Sequence, residues 1–168
     1  ISGAGRGIGL ELTRQLIERG DSVIGLCRKA GDALLASGAR VIEGIDVTSA
    51  ASMADLARQL ADTRIDVLIN NAGVLTVENL DDIDFDAMRR QFEVNSLGPL
   101  RLTTTVLDNL VAGSKVAVIT SRMGSIADNG SGGYYGYRAS KAAVNAIGVS
   151  LAHDLKPRGI AVALLHPG

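Results

Sequence analysis

The hydrophobic positions of this chain form short apolar runs that alternate with longer stretches of helical period. The apolar runs are rich in β-branched residues, which is typical of buried parallel strands, and they cover 22–28, 40–46, 65–70, 115–121 and 160–166. The helical stretches cover 8–19, 49–61, 84–110 and 134–156. Ser49 and Asp84 are candidate N-caps, and Pro99 predicts a kink in the third helix.

This alternation of strands and helices predicts an α/β fold. We expect a single Rossmann-type doubly wound parallel sheet with helices on both faces, because right-handed crossovers place successive helices against such a sheet. Ligands of these sheets bind at the carboxyl ends of the strands. Each loop considered below follows a strand, so all of these loops are expected at that one edge.

Composition and charge narrow the class of protein. The 168 residues are 46% hydrophobic and 21% charged, which is typical of one globular domain and not of a disordered chain. Seventeen basic and 18 acidic residues are spread along the sequence, which argues against binding to nucleic acid. The lone Cys27 excludes an internal disulfide and, with no apolar run long enough to span a membrane, predicts a cytoplasmic protein without a membrane partner. The two histidines, with no further ligands near them, predict no metal site.

A glycine-rich segment opens the sequence. Glycines alternate with other residues from Gly3 to Gly9 and lead straight into a predicted helix. Free backbone N–H groups at a helix start form an anion site that suits a pyrophosphate. The spacing is G-x-x-x-G-x-G and not the commoner G-x-G-x-x-G. A glycine-rich turn without a ligand is the alternative.

The end of the second apolar run favours one dinucleotide over the other. An NAD site uses a carboxylate about 20 residues beyond the glycine loop to bind the ribose 2′-hydroxyl. Here Cys27 occupies that place, followed by Arg28 and Lys29, and Arg6 lies in the loop itself. These cations suit a 2′-phosphate and predict NADP(H). Solvation of a strand end is the alternative role for Arg28 and Lys29.

Three side chains form a candidate catalytic group. Lys141 follows Tyr137 by four residues, a spacing that places both on one helix face. An ammonium beside a phenol favours the phenolate, so Tyr137 can exchange a proton with a carbonyl or alcohol oxygen. Ser121 ends a predicted strand, where its hydroxyl can donate to the same oxygen. A loop-capping role is the alternative for Ser121.

The ordered set of motifs resembles the short-chain dehydrogenase/reductase superfamily, and in finer detail its C-factor and Sniffer-like carbonyl reductase branch. The motifs that carry the resemblance are Ser2–Gly9, Asp46-Val47, Asn70–Gly73, Asn95, Ser121 and Tyr137–Lys141. Relative to that family, the first strand and the C-terminal part are missing. We therefore expect residues 1–168 to be a single NADP(H)-binding catalytic domain that is cropped at both ends.

The resemblance assigns roles to four residues in catalysis. Tyr137 would be the general acid/base, and Lys141 would stabilise its phenolate and hold the nicotinamide ribose. Ser121 would orient the substrate carbonyl. Asn95 would position a water in a proton relay to Lys141.

The resemblance also implies the cofactor contacts. Asp46 and Val47 would bracket the adenine, and Asn70 would bond the backbone of neighbouring strands. The remaining expected cofactor contacts are Gly3, Gly5, Arg6, Gly7, Ile8 and Gly9 in the first loop, Arg28 after the second strand, Asn71, Ala72 and Gly73 beside the adenosine ribose, Tyr137 and Lys141, and the Pro167-Gly168 turn beside the nicotinamide.

The function expected from these residues is hydride transfer between NADP(H) and a carbonyl or alcohol substrate. Two alternatives remain open at this point: an NADP(H)-binding sensor or signalling protein with little catalysis, and a 3-oxoacyl-thioester reductase. By analogy with the family, we expect a homodimer or homotetramer built through the third and fourth long helices.

Overall fold

The structure is a computed structural model that describes residues 1–167, and it shows the α/β fold predicted from the sequence. Its elements in chain order are α1 (Gly7–Glu18), β1 (Ile24–Leu26), α2 (Asp32–Leu35), β2 (Arg40–Ile42), α3 (Ala50–Gln59), β3 (Ile65–Asn70), α4 (Phe85–Phe92), α5 (Gly98–Thr105), β4 (Leu110–Ile119), α6 (Tyr135–Leu155) and β5 (Ala161–Leu165). The four-residue α2 was not predicted, because one turn is too short to show a helical period.

Every strand pairs in parallel with its neighbour. β1 pairs with β2, and β3, β4 and β5 pair in that order. Residues 1–4 run between the two groups. Leu26 N donates to Ile1 O at 2.8 Å, Ala4 N donates to Leu26 O at 3.1 Å, and Ser2 N donates to Ile69 O at 3.0 Å. The direction of winding therefore reverses at residues 1–4, which is the ligand-binding position of a doubly wound sheet.

The core is aliphatic, as the small number of aromatic residues requires. Buried side chains from strands on both sides of residues 1–4, such as Leu26 and Val116, belong to one cluster. The helices contribute side chains at helical spacing, for example Leu102 and Val106 of the α5 region, which face the same core. Burial of each such side chain contributes about 1.5–3 kcal/mol.

The two predicted N-caps are confirmed. Ser49 Oγ accepts from Ser52 N at 3.2 Å at the start of α3. Asp84 Oδ1 accepts from Asp86 N and Ala87 N, both at 2.9 Å, at the start of α4. These caps satisfy N–H groups that the helix itself leaves free.

The sequence predicted one helix over 84–110, and this prediction is wrong in the middle and at the end of the segment. A π-helical turn, Glu93–Leu97, separates α4 from α5, and β4 already begins at Leu110. Pro99 lies in the first turn of α5, directly after the π turn, and a proline ring inside a continuous helix displaces the carbonyl four residues before it, here that of Asn95 in the π turn. A π turn adds one residue to a helix, and the 3.6-residue pattern does not reveal it.

Asn70 also differs from expectation. Its Nδ2 donates at 3.1 Å to Thr103 Oγ1 on α5, not to the backbone of a neighbouring strand. Thr103 Oγ1 in turn donates to Pro99 O at 2.7 Å. Asn70 therefore ties the end of β3 to the helix that packs on it.

The six helices of residues 1–167 include none with the length and apolar character that crossing a membrane requires.

Candidate active site

The glycine segment forms a loop that ends in an open helix N-terminus. Gly3 and Gly7 have φ values of 67° and 55°, in the left-handed region that favours glycine. α1 begins at Gly7, and the side chain of its N-cap residue, Arg6, does not cap it. The N–H groups of the first turn therefore remain available to bind an anion.

Close packing explains the last glycine of this segment. A Cβ on Gly9 would collide with Gly3 O and with Asn71 Nδ2. Gly9 is buried, and it faces the loop backbone rather than open space. Its contribution to the site is to let α1 approach the loop.

Side chains of Ser2 and Asn71 join this loop to the end of β3. Ser2 Oγ accepts from Asn71 N and Ala72 N, both at 3.1 Å. Asn71 Nδ2 donates to Ser2 O at 3.0 Å and to Gly3 O at 3.3 Å. The Asn71 side chain thus fixes the shape of two strand ends, and its backbone borders the cleft described next.

A cleft of about 700 Å³ opens at the carboxyl ends of the strands. Its walls come from both halves of the sheet. The lining residues are Ser2, Gly3, Gly5, Arg6, Gly7, Leu26, Cys27, Arg28, Lys29, Ile45, Asp46, Val47, Asn71, Ala72, Gly73, Val74, Arg90 and Val94. Ten of the predicted cofactor residues lie in this set. Five other predicted cofactor residues do not line the cleft that the described residues form, namely Ile8, Gly9, Tyr137, Lys141 and Pro167, and the sixteenth, Gly168, lies outside those residues.

The cleft carries an excess of positive charge. Arg6, Arg28, Lys29 and Arg90 line it, and none of these four forms an ion pair within residues 1–167. Asp46 is the acidic residue of the lining. Free cations around a concave surface attract an anionic ligand.

The ionisation of two cleft residues follows from their surroundings. Burial alone would raise the pKa of Asp46, but hydrogen bonds from Thr48 and the charges of Arg90 and Arg28 outweigh it and lower that pKa. Burial, and then the charge of Glu43, raise the pKa of the Cys27 thiol. Cys27 is therefore a neutral wall residue and not a nucleophile.

Tyr137 and Lys141 lie on one face of α6, as their spacing predicts. Lys141 Nζ is 5.6 Å from the centroid of the Tyr137 ring and donates to Ile119 O of β4 at 2.8 Å. The lysine is 5% exposed, and burial lowers its pKa from 10.5 to about 8. Tyr137 is half-buried, and its hydroxyl has no hydrogen-bond partner among residues 1–167.

Ser121 follows β4 and starts a short 3₁₀ turn, Arg122–Gly124. Its Oγ accepts from Met123 N at 3.2 Å. The turn packs directly on α6, because a Cβ on Gly124 would lie 2.7 Å from the carbonyl carbon of Lys141. This contact places Ser121 beside the helix that carries Tyr137 and Lys141.

Asn95 lies in the π turn and is 1% exposed. Its Oδ1 accepts from Val74 N at 2.8 Å, and its Nδ2 donates to Val74 O at 2.8 Å and to Ser140 Oγ at 3.0 Å. These partners occupy the amide group, so the side chain itself fixes Val74 and α6. The predicted water relay through Asn95 stays a prediction.

Gly73 connects the cleft with the catalytic group. A Cβ on Gly73 would lie 3.3 Å from Asn95 Oδ1 and 4.0 Å from Lys141 Nζ. The far wall of the cleft therefore adjoins the ammonium of Lys141. Pro167 follows β5 and is exposed.

Sequence reasoning missed Arg90 and Glu78. Arg90 of α4 lines the cleft with Val94, although the sequence pattern gives it no role in the site. Arg90 precedes Val94 by four residues, which places both on one helix face, and Val94 adjoins the motif residue Asn95. This spacing could have indicated that Arg90 faces the cleft. Glu78 is buried, and no sequence pattern indicates its partners.

The fold and this cleft define a doubly wound α/β protein with a site for an anionic ligand at the carboxyl ends of its strands. The model of the family described as short chain dehydrogenase matches residues 1–168. The chain belongs to the short chain dehydrogenase family, which confirms the resemblance seen in the sequence.

Individual relatives agree with this assignment. The chain is 45% identical to 1-hydroxy-2-glutathionyl-2-methyl-3-butene dehydrogenase of Rhodococcus over 170 residues, which are 100% of this chain and 75% of that protein. It is 51% identical to C-signal of Myxococcus xanthus over 107 residues, which are 62% of this chain and 64% of that protein. Among solved structures, a carbonyl reductase from Pseudomonas aeruginosa in complex with NADP superposes with a TM-score of 0.89 at 32% identity, covering 100% of this chain and 77% of that one.

Proposed function

We propose that this chain is an NADP(H)-dependent oxidoreductase that transfers a hydride between the nicotinamide and a carbonyl or alcohol substrate. One observation carries the proposal. The buried Lys141 ammonium lies 5.6 Å from the centroid of the Tyr137 ring, whose hydroxyl has no hydrogen-bond partner among residues 1–167, and Gly73 of the cation-lined cleft adjoins it.

The residues present fit a dinucleotide with an extra phosphate. The open N-terminus of α1 suits a pyrophosphate, and the close packing at Gly3 and Gly9 holds the loop against α1 and the end of β3. Arg28 and Lys29 at the end of β1 suit a 2′-phosphate, because the residues that follow this strand, Cys27–Lys29, include no acidic side chain to bind a ribose hydroxyl. The relation to the NADP-bound carbonyl reductase supports the same cofactor.

The residues of the catalytic group then have distinct tasks. When bound, the dinucleotide supplies the hydride for the carbonyl carbon. The Tyr137 hydroxyl donates its proton to the carbonyl oxygen, which completes the alcohol, and Ser121 holds that oxygen by a hydrogen bond. The Lys141 ammonium stabilises the phenolate that remains. In the reverse direction Tyr137 takes the proton from the alcohol.

Replacement of Tyr137 tests this proposal. We expect Tyr137→Phe to bind NADPH as the wild type does and to lose turnover with a panel of small ketones and aldehydes, because the variant lacks only the proton donor. NADPH oxidation and NADPH binding are measured separately. Tyr135→Phe is the matched control, since Tyr135 is exposed two residues before Tyr137. A Tyr137→Phe enzyme with a near-normal rate would contradict the assignment.

The cofactor has its own test in Arg28→Asp. We expect a loss of NADPH affinity of about tenfold to a hundredfold, the effect of removing a charge-assisted hydrogen bond, with NADH affinity almost unchanged. Arg14→Asp is the control for net charge, because Arg14 is exposed on α1. Equal losses for both dinucleotides would speak against a 2′-phosphate site.

A signalling protein that binds NADP(H) with little catalysis is the second candidate. The identity with C-signal favours it, whereas the close placement of Tyr137 and Lys141 favours catalysis. The wild-type assay separates the two, because tight NADPH binding without turnover across a broad carbonyl panel would support the second candidate.

A further inference from the structure

Glu78 is a buried acidic residue that the proposed mechanism does not use. It lies between β3 and α4, is 2% exposed, and forms no ion pair with any cation of residues 1–167. A carboxylate that leaves water without a counter-charge is unfavourable unless hydrogen-bond donors surround it. The donors around Glu78 therefore indicate what it holds in place.

Those donors come from three separate parts of the chain. Oε1 accepts from Gln91 Nε2 of α4 at 2.7 Å and from the hydroxyl of Thr76 in the same loop. Oε2 accepts from Gly136 N of α6 at 3.1 Å, across 58 residues of sequence. Both oxygens of Glu78 thus act as acceptors, and one side chain joins the loop, α4 and α6.

The contact with α6 is made where that helix most needs an acceptor. Tyr134 precedes the helix with a left-handed φ of 53°, and its own side chain provides no cap. Tyr134 N instead donates to Glu78 O at 2.9 Å. Glu78 therefore supplies a backbone oxygen and a carboxylate to the start of α6, where negative charge is also favoured by the helix dipole.

The adjacent glycine shows how closely these parts approach. A Cβ on Gly136 would collide with Gln91 Nε2 and with Met88 of α4. Gln91 in turn accepts from Thr76 N at 3.1 Å through its Oε1, so it is fixed at both ends. Tyr137 is the next residue after Gly136, and any movement of this first turn moves the phenol.

We propose that Glu78 is a positioning residue that fixes the first turn of α6 and thereby sets the place of the Tyr137 hydroxyl beside Ser121. The proposal rests on the proposed function for its effect on rate. Because Glu78 acts through the backbone of Gly136 and not on the cofactor cleft, its loss changes the chemical step and leaves NADPH binding intact.

The test is Glu78→Gln, which keeps the volume but replaces one acceptor oxygen with a donor. We expect kcat to fall about tenfold to a hundredfold, as is typical when a reacting group is displaced, with the Kd for NADPH within about twofold of the wild type. Amide hydrogen exchange of residues 135–139 is expected to accelerate. Glu11→Gln makes the same chemical change at an exposed position of α1 and should change none of these readouts.

The double variant Glu78→Gln/Gln91→Glu keeps the proposal testable if the single variant folds poorly. It moves the carboxylate to the other partner of the pair, so that the new amide can still accept from Gly136 N and donate to position 91. We expect it to recover most of kcat and of the exchange protection. A folded double variant as slow and as unprotected as Glu78→Gln would overturn the proposal.

Two further outcomes would also overturn it. One is a Glu78→Gln protein with wild-type kcat and wild-type exchange. The other is an equal loss of kcat and NADPH affinity, which would assign Glu78 to the stability of the whole fold. A wild-type protein without turnover would refute the proposed function instead, and the exchange measurements would still decide whether Glu78 holds the first turn of α6.

Discussion

At the scale of single residues, Lys141 is a charged side chain whose ionisation is altered by burial. Its Nζ donates to Ile119 O and lies near the Tyr137 ring, but no carboxylate of residues 1–167 pairs with it. Withdrawal from water destabilises the ammonium and lowers the pKa of Lys141 to about 8. Burial of the Lys141 ammonium therefore lowers the free energy of unfolding, while it places this charge near the Tyr137 ring.

This cost predicts how stability depends on pH. The pKa of Lys141 falls from 10.5 in the unfolded chain to about 8 in the fold, so the unfolded state binds more protons between these values. The free energy of unfolding should therefore rise with pH from about 8 to about 10.5, by up to about 3 kcal/mol from this group. Below about pH 8 the penalty is present in full.

Urea unfolding of the wild type and of Lys141→Met at several pH values measures this contribution. The difference between the two proteins should change across the stated range, because the variant lacks the titrating group. Lys156→Met serves as the control, since Lys156 is exposed. A difference between wild type and Lys141→Met that is constant with pH would contradict the prediction.

Residues of the site differed in how well the sequence could predict them. Tyr137 and Lys141 are four apart on one helix, so their proximity follows from local geometry alone. Asn95 bonds Val74, 21 residues away, and Glu78 bonds Gly136, 58 residues away, and only the packed fold brings these pairs together. Polar side chains of this kind look the same in sequence as solvent-exposed ones.

At the scale of elements, the glycine loop and α1 form one unit held by close contacts. Gly3 needs a left-handed φ, and Gly9 needs the absence of a side chain. The sequence predicted the loop and the helix because glycine spacing and helical period are local signals. The π turn at Glu93–Leu97 escaped prediction because the one extra residue leaves no mark in the local pattern, and Asn95 inside it bonds Val74 and Ser140, which are distant in sequence.

The close contact at Gly9 predicts the effect of one added methyl group. Gly9→Ala should force the loop backbone and Asn71 apart, with a loss of about 1–3 kcal/mol in the free energy of unfolding, as overpacking costs. NADPH binding should weaken as well. Gly31→Ala is the control, because its added Cβ meets no atom within 4 Å and its φ is negative. Chemical denaturation measures the free energy of unfolding, and a titration measures NADPH affinity. Equal losses of stability in Gly9→Ala and Gly31→Ala would contradict the packing explanation.

At the scale of the whole molecule, an apolar surface remains uncovered. Phe85, Met88 and Phe92 of α4 form a shallow groove with Gly136 and Ala139 of α6, and Arg89 borders it. Both phenylalanines are exposed although the chain contains only two of them. Contiguous apolar surface of this kind is typical of an interface, and it lies on the two helices expected to mediate a homo-oligomer.

We expect the protein to associate through this groove. Sedimentation or light scattering should give a dimer or tetramer for the wild type and a smaller species for Phe92→Ser, because the substitution removes apolar area from the interface. Leu35→Ser is the matched control, since Leu35 is also exposed but belongs to α2, away from the groove. A monomeric wild type, or dissociation by Leu35→Ser alone, would refute this prediction.

Residues 1–4 carry the main-chain connection between the two halves of the sheet, through bonds to Leu26 on one side and to Ile69 on the other. The cleft lies across this connection. Arg28 and Asp46 line it on the side of β1 and β2, and Ala72 and Val74 line it on the side of β3. A ligand bound in this cleft would contact both halves of the sheet. A force that pulls the two halves apart would therefore have to break the contacts of a ligand bound in this cleft as well as the hydrophobic core that the halves share.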